Sequence, residues 1–369
     1  MKPTKVLAGF LMDGKAGGVD RYLLNFFQQV HSPQIQIDFL TNHIDSDLQT
    51  YLNEHGSKLY EVANLRQPQL QYRQICDLIQ THQYNATYFN LSTAISRIGP
   101  KAAYDCKVPI RVIHSHSTGT DCSNPIKRAL FNYLHNKYKK QLYRMGNRFY
   151  ACSKIAGLWL FPEKIVESNR FHIIHNAIDV EKFLYNSQSR TEIRKILGLD
   201  DCFVVGHVSN FCYPKNSLFL FSVFAQLAQQ NPQARLLLVG TGPHLAEIQE
   251  AAAAQGLQDK VLFLGHRCDV PQLLQAMDVF LFPSLFEGLG MALIEAQAAG
   301  LPCVTSTAVP REVAVTNLVT FLPLSERIQV WVDAVADAQN AFRANQSAAI
   351  YKAGYDLQSE TDAYLSIIT

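Results

Sequence analysis

Short runs rich in Val, Ile and Phe recur along the whole chain, and stretches with helical spacing separate them. In the first half the runs lie at 6–11, 35–41, 84–91, 111–114, 148–151 and 171–175. In the second half they lie at 203–208, 235–239, 261–264, 279–282, 302–305 and 319–322. Leu236-Leu237-Leu238-Val239 is apolar without a break, the pattern of a strand covered on both faces in a parallel sheet. Between runs, Leu218, Phe221, Ala225 and Ala228 follow one another at spacings of three and four, as on one helix face. The alternation predicts an α/β chain of two doubly wound Rossmann-like domains facing across a cleft. The first domain is expected over 1–182 and the second over 183–350, with 351–369 crossing back to the first. The linking stretch falls within 176–200, where apolar periodicity lapses across 185–190. With 369 residues, 48% hydrophobic and 17% charged, the chain has material for two cores and is not disordered.

Other classes are excluded in turn. No apolar run approaches the ~18 residues of a membrane-spanning helix. Residues 2–12 carry too short an apolar stretch before Asp13 for a signal peptide and read as a buried first strand. The eight cysteines (76, 106, 122, 152, 202, 212, 268 and 303) are scattered, with no Cys-x-x-Cys pair. That spacing predicts reduced thiols in a cytoplasmic protein, with neither a disulfide framework nor a zinc site. His114/His116 and His172/His175 cluster without neighbouring cysteines or carboxylates, so no metal cofactor is expected.

The net charge of +2 is a sum of opposites. Residues 1–185 hold 22 Lys and Arg against 14 Asp and Glu, whereas 186–369 hold 11 against 17. From 122 to 162 there is no acidic residue, and eight Lys or Arg occur. Within it Phe131, Leu134, Tyr138, Leu142 and Met145 share one helical face, while Lys137, Lys140 and Arg144 share another. A basic amphipathic helix suits an anionic membrane surface or a lipid-diphosphate acceptor, so peripheral membrane contact is expected through 127–148. A solvated helix packed by its apolar stripe is the alternative. Nucleic acid is not an expected partner, because no basic patch is interleaved with stacking motifs and the other half is acidic.

Open α/β sheets bind ligands beyond the carboxyl ends of their strands, so the residues that follow each run carry the functional information. The first run leads into Asp13-Gly14-Lys15-Ala16-Gly17-Gly18-Val19-Asp20-Arg21-Tyr22. Its glycines would let backbone approach a ligand, or would simply make an ordinary turn. Ile113-His114-Ser115-His116-Ser117-Thr118-Gly119 is polar after Ile113 and could hydrogen-bond a sugar hydroxyl or move a proton. Val208-Ser209-Asn210-Phe211-Cys212-Tyr213-Pro214-Lys215-Asn216 sets Lys215 just ahead of a helix, where a cation and free N–H groups could hold phosphate. The richest segment is 282–300. There Glu287-Gly288-Leu289-Gly290-Met291 precedes an Ala- and Leu-rich helix containing Glu295 and ending at Gly300. Asp45-Ser46-Asp47 looks like a metal-diphosphate motif, but helix N-capping explains it equally well.

Together these residues resemble the retaining glycosyltransferases of GT-B architecture, family 4, and within them the bacterial exopolysaccharide and capsule enzymes. The resemblance spans the chain. It rests on Gly17-Gly18-Val19-Asp20-Arg21, His114-Ser115-His116, Ala151-Cys152-Ser153-Lys154, Ile174-His175-Asn176-Ala177-Ile178-Asp179, Leu238-Val239-Gly240-Thr241-Gly242-Pro243 and Leu264-Gly265-His266-Arg267-Cys268-Asp269-Val270. Its most specific element is a pair of glutamates separated by seven residues, Glu287 and Glu295.

The resemblance implies a nucleotide-sugar donor, UDP-linked by preference, and a glycan or polyprenyl-diphosphate-linked acceptor. Glu295 would bind the ribose hydroxyls, and the N–H groups of Gly288, Leu289, Gly290 and Met291 would hold the diphosphate and sugar. Glu287 would lie at the sugar ring, and Arg267 would border the base. Gly17 and Gly18 would close on the diphosphate, with His116 at the transferred sugar. Transfer would retain anomeric configuration without a covalent intermediate and without a metal, the leaving diphosphate being stabilised electrostatically. The chain departs from the family where an arginine five residues before the phosphate-site lysine is Asn210 and the preceding glycine is Ser209. The hinge Asn-Gly is likewise Asn176-Ala177. The loss of that arginine keeps open a catalytically weak nucleotide-binding partner subunit, and a GT-B epimerase is a third reading. The leading expectation is a hexosyltransferase of surface polysaccharide synthesis, cytoplasmic at the inner face of the membrane.

Overall fold

The structure is a computed structural model that describes residues 3–12 and 17–369. The chain divides into two compact units, one of 1–176 with 358–369 and one of 177–357.

The first unit is built on β1 (Thr4–Gly9), β2 (Ile35–Thr41), β3 (Leu59–Glu61), β4 (Ala86–Leu91), β5 (Ile110–Ser115), β6 (Arg148–Ala151) and β7 (Phe171–Ile173). They form one sheet in the order β3-β2-β1-β4-β5-β6-β7, parallel throughout. The second unit holds β8 (Phe203–Val208), β9 (Ala234–Val239), β10 (Val261–Phe263), β11 (Val279–Phe282), β12 (Cys303–Ser306) and β13 (Val319–Leu322). Its order is β10-β9-β8-β11-β12-β13, again all parallel. Both sheets are the doubly wound α/β design expected from the alternation. In each, the order of strand addition reverses beside the first strand, between β1 and β4 and between β8 and β11. These are the crevices where such folds bind ligands.

Burial explains why the central strands were legible. Every residue of β4 and β11 is buried, as required of strands covered on both faces. The edge strand β3 went unpredicted, since it has three residues and only Leu59 is buried. In the helix Ser217–Gln230, Phe221, Ala225 and Ala228 are buried as expected, but Leu218 is exposed. The core there continues through Leu220, Val223, Phe224 and Leu227 instead.

The division falls six residues before the expected boundary. Ile178 donates to Tyr355 O at 2.9 Å, and Leu357 donates back to Ile178 O at 2.9 Å. This ties 177–183 to the second unit by backbone pairing, which leaves no mark in apolar periodicity. The helix Ser347–Lys352 also stays with the second unit, its Tyr351 hydroxyl donating to Glu181 at 2.7 Å. Only the last helix, Thr361–Ile368, joins the first unit. Its Tyr364 ring lies 5.6 Å from Tyr22 and 6.0 Å from Phe26, and Arg148 reaches the carbonyls of Ser366, Ile367 and Thr369.

Asp45 is an N-cap: its Oδ1 accepts from Leu48 N at 3.0 Å, ahead of the helix Ser46–Glu54. In the basic helix Pro125–Leu142, Leu142 is buried, and Tyr138 and Met145 pack on the same core.

Candidate functional site

In the second unit, the loops after β8 and β11 are fastened to each other at the point where strand order reverses. Leu285 N donates to Pro214 O at 2.7 Å, and Asn216 Nδ2 donates to Pro283 O at 3.2 Å. From β12, Thr305 Oγ1 donates to Phe282 O at 2.7 Å and Ser306 Oγ to Ser284 O. These bonds hold the carbonyls that precede the glycine loop, so the loop leaves the sheet in one direction. Gly288, Leu289 and Gly290 are buried. Gly290 has φ 99°, a left-handed conformation that caps the helix Met291–Ala298 and frees its first N–H groups. Leu293 and Ile294 point into the core, which leaves Glu295 part-exposed on the opposite side. Gly300 ends the segment at φ 69°, where a Cβ would stand 2.7 Å from Ala344 O.

Lys215 closes the one-turn helix Tyr213–Lys215, and its Nζ lies 2.5 Å from Glu287 Oε1. The ammonium also sits 4.9 Å from the Phe282 ring centre. Two residues assigned separate roles from sequence, Lys215 at phosphate and Glu287 at the sugar, are thus one ion pair. The pair is mostly shielded, with side chains 18% and 12% exposed.

Asn210 is exposed on the loop after β8, and its carbonyl accepts from Cys212 N at 2.8 Å. Arg267, in the loop after β10, donates from Nε and Nη2 to Asp269 at 2.7 and 2.6 Å. Its fork is occupied by that carboxylate, and the guanidinium in turn holds the Asp269 carboxyl below the usual range. Sequence reasoning did not anticipate this partner. The Gly240-Thr241-Gly242-Pro243 motif is explained by packing. A Cβ on Gly240 would meet Ser209 O at 1.9 Å, and one on Gly242 would meet Phe211 O at 2.4 Å.

A second unanticipated pair lies under Ser209. His207, buried on β8, has Nδ1 2.8 Å from Leu281 O and Nε2 2.7 Å from Ser209 Oγ. A carbonyl can only accept, so Nδ1 carries the proton and the Ser209 hydroxyl donates to Nε2. Burial between Phe280 and Phe282 pushes the imidazole down to about 4. Alternation placed His207 in a strand but could not reveal a partner two residues on.

In the first unit, Gly17 has φ 99° and Gly18 opens the helix Gly18–Val30. Asp13, Gly14, Lys15 and Ala16 of the same loop lie outside the described residues. His116 follows β5, and its Nε2 lies 2.7 Å from Asn90 Oδ1 at the end of β4. Its ring is 4.0 Å from that of His114 and 5.0 Å from that of Tyr22. Asn90 was likewise not predicted, because a lone asparagine in an apolar run carries no spacing signal.

Comparison with known proteins agrees with both halves. Residues 16–182 match the family model described as Glycosyltransferase Family 4, and 202–339 match Glycosyl transferases group 1. The chain is 32% identical over 360 residues to the glycosyltransferase EpsF of Bacillus subtilis (strain 168), covering 95% of this chain and 93% of that one. Over 148 residues it is 34% identical to the UDP-Gal:alpha-D-GlcNAc-diphosphoundecaprenol alpha-1,3-galactosyltransferase of Escherichia coli, covering 39% of this chain and 38% of that one. In fold it is similar to Anabaena HepE solved with UDP and glucose, at a TM-score of 0.76 and 20% identity, with 98% of each chain covered. The strand orders, the glycine loop with its two glutamates and the full-length likeness lead to one assignment: the chain belongs to glycosyltransferase family 4, and it is a glycosyltransferase of the two-domain GT-B fold.

Proposed function

We propose that the chain moves a sugar from a UDP-sugar to a glycan or polyprenyl-diphosphate-linked acceptor in surface polysaccharide synthesis, with retention of configuration and without a metal. The observation that carries this reading is the segment from Glu287 to Glu295 at the reversal point of the second sheet. It offers one mostly shielded cation, a glycine loop and a helix N-terminus within one loop pair. A leaving diphosphate gains negative charge as the sugar bond breaks. Lys215 and the N–H groups at the start of the helix Met291–Ala298 supply the positive field that stabilises it. Glu287 orients Lys215 and meets the sugar hydroxyls, while Glu295, on the polar side of the helix, accepts from ribose hydroxyls. Arg267, held flat by Asp269, borders the base. In the first unit Gly17 and Gly18 start the helix after β1 and His116 follows β5, the positions that the family resemblance gives to donor contacts.

The donor and acceptor classes draw support from relatives. The Escherichia coli relative uses UDP-Gal and a diphosphoundecaprenol-linked sugar by its name, and the Anabaena structure holds UDP and glucose. The basic helix supports work at the inner face of a membrane. Ile126, Leu130 and Tyr133 are 81%, 54% and 64% exposed, and they continue along the same helical face into Lys137 and Lys140. Among the described residues no helix is long and apolar enough to cross a membrane.

The test is turnover of UDP-, GDP- and ADP-sugars by the full chain, with and without EDTA, using an undecaprenyl-diphosphate-linked sugar as acceptor. Transfer from a UDP-sugar that survives EDTA, with the product's anomeric configuration unchanged, is the expected result. Nucleotide binding without turnover would favour a catalytically weak member, for which exposed Asn210 in place of a cation is the specific reason.

A further inference from the structure

Two of the cysteines that are scattered in sequence meet in the fold. The helix Pro68–His82 and the helix Ile98–Asp105 pack against each other in the first unit. On the first of these, Tyr72, Cys76 and Gln80 follow at spacings of four and form one stripe. That stripe faces the end of the second helix. The Tyr72 hydroxyl donates to Asp105 Oδ2 at 2.7 Å. One turn further on, the thiols of Cys76 and Cys106 share a hydrogen bond, and the Gln80 side chain also bonds Cys106. Both cysteines pack on the same apolar cluster, and both are part-exposed and free.

Backbone and side chains hold this meeting in place. Cys106 ends its helix with its N–H on Ala102 O at 2.9 Å, and Lys107 follows at φ 58° with its N–H on Tyr104 O at 3.0 Å. Val108, buried, donates to Ala103 O at 3.0 Å and closes the turn. The Lys101 ammonium pairs with Asp105 and lies 4.7 Å from the Tyr72 ring centre, a second clamp between the helices.

Two free thiols in contact on facing, anchored helices are placed as a disulfide requires. We propose that Cys76 and Cys106 are a modification site, which glutathione disulfide or another small disulfide converts to an intramolecular disulfide that a thiol reductant reverses. Burial, and after it the hydrogen bond with Cys76, push the Cys106 thiol up to about 12. Cys106 therefore keeps its proton at first, and Cys76 supplies the attacking thiolate. That thiolate attacks one sulfur of glutathione disulfide, forming a mixed disulfide and expelling one glutathione thiolate. The hydrogen bond that held the Cys106 proton is then gone. Cys106 loses the proton and attacks the Cys76 sulfur, which expels the second glutathione. Two protein thiols become one disulfide, and their two hydrogens leave on two molecules of glutathione. Cys106 comes shortly before Ile110, where β5 begins, so the bond forms at the end of the sheet away from the strands' carboxyl ends. The modification is independent of the sugar-transferring reading.

Peptide mapping of the full chain by mass spectrometry tests this, after incubation with glutathione disulfide and digestion without reductant. Trypsin places Cys76 in the peptide 74–97 and Cys106 in the peptide 102–107. The two should appear joined, lighter than their sum by two hydrogens, with two of the eight thiols lost, and dithiothreitol should separate them. In Cys106→Ser the reaction should stop at glutathione held on Cys76, and in Cys76→Ser Cys106 should stay unmodified. Glutathione that persists on Cys76 in the unmodified chain overturns the proposal. So does a disulfide that joins either cysteine to a different partner or to a second chain. Glutathione on Cys106 in Cys76→Ser overturns the order of attack. The mapping of the unmodified chain decides the main claim even if a variant fails to fold.

Discussion

Lys215 Nζ and Glu287 Oε1 stand 2.5 Å apart, joining the loop after β8 to the glycine loop after β11. The pair orients the ammonium and keeps its partner's charge compensated, so neither residue can be altered alone without exposing the other. Charge-assisted hydrogen bonds contribute about 1.5–3 kcal/mol, roughly 10- to 150-fold in rate or affinity. Lys215→Met and Glu287→Gln should each lower kcat/KM within that range. The double variant should fall by less than the product of the two, which a double-mutant cycle would measure. Full additivity would show that the pair does not act as a unit.

Asn210 stands exposed on the loop after β8, where the family resemblance implies an arginine. Asn210→Arg adds a cation beside the proposed diphosphate position. Turnover should rise by about tenfold if the leaving group is limited by one missing charge. Steady-state kcat with a saturating donor reads this, and unchanged or lower turnover rejects the idea of a thinned positive field.

Gly290 holds φ 99° at the start of the helix Met291–Ala298. A Cβ there meets no close atom, the nearest being 3.5 Å away, so the penalty of Gly290→Ala lies in the backbone conformation alone. Such conformations cost about 1–2 kcal/mol per residue in an L-amino acid. Calorimetry should show a fall of roughly 2–8 °C in the unfolding of the second unit. If the loop relaxes instead, stability is kept and nucleotide affinity is lost, which thermal shift with UDP separates.

His207 is buried neutral, with its proton on Nδ1 and its value pushed down to about 4 by burial. In the unfolded chain it binds a proton near pH 6.5, so the unfolded state takes up protons first as pH falls. Its stabilisation is fully present above about pH 6.5 and is lost progressively toward pH 4, amounting to about 3 kcal/mol in all. His116, down to about 3, adds to the same trend in the first unit. Urea melts between pH 7.5 and 4.5 should show falling stability, and His207→Gln should flatten part of the slope. A curve that stays level to pH 4.5 contradicts this.

Ile126, Leu130 and Tyr133 present an exposed apolar strip that runs into Lys137 and Lys140. Sedimentation with phosphatidylglycerol vesicles should recover the chain. Replacing Ile126 and Leu130 with Ser should lower binding several-fold, in line with about 25 cal/mol per Å2 of apolar area withdrawn from water. Binding to neutral phosphatidylcholine should be weak, and salt should reduce binding to the anionic vesicles. Equal binding to both lipids would remove the electrostatic part of the argument.

Much of this architecture was legible because it follows from local patterns. Continuous apolar runs such as Leu236-Leu237-Leu238-Val239 suit a strand covered on both faces, and the turn from Pro283 to Gly290 announces itself by composition. The short edge strand β3 and the unit boundary at Asn176 were not legible. Three residues carry no period, and the boundary depends on Ile178 pairing with Tyr355 and Leu357 across some 180 positions. The exposed strip on the basic helix was missed for a related reason: spacing groups apolar residues by face but does not say which face the core takes.

By itself, the sequence determined the doubly wound class and the two-sheet division, and it singled out the segment from Glu287 to Glu295 as the candidate site. These depend on periodicity, glycine placement and residue type within a few tens of positions. Only the tertiary structure decided the pairings: Lys215 with Glu287, Ser209 with His207, Arg267 with Asp269, and Asn90 with His116. Hydrogen bonds and ion pairs act over about 3 Å and depend on direction. Lys215 with Glu287 and Asn90 with His116 meet only when strands from different parts of the chain lie side by side, whereas His207 with Ser209 and Arg267 with Asp269 depend on the local backbone path after a strand.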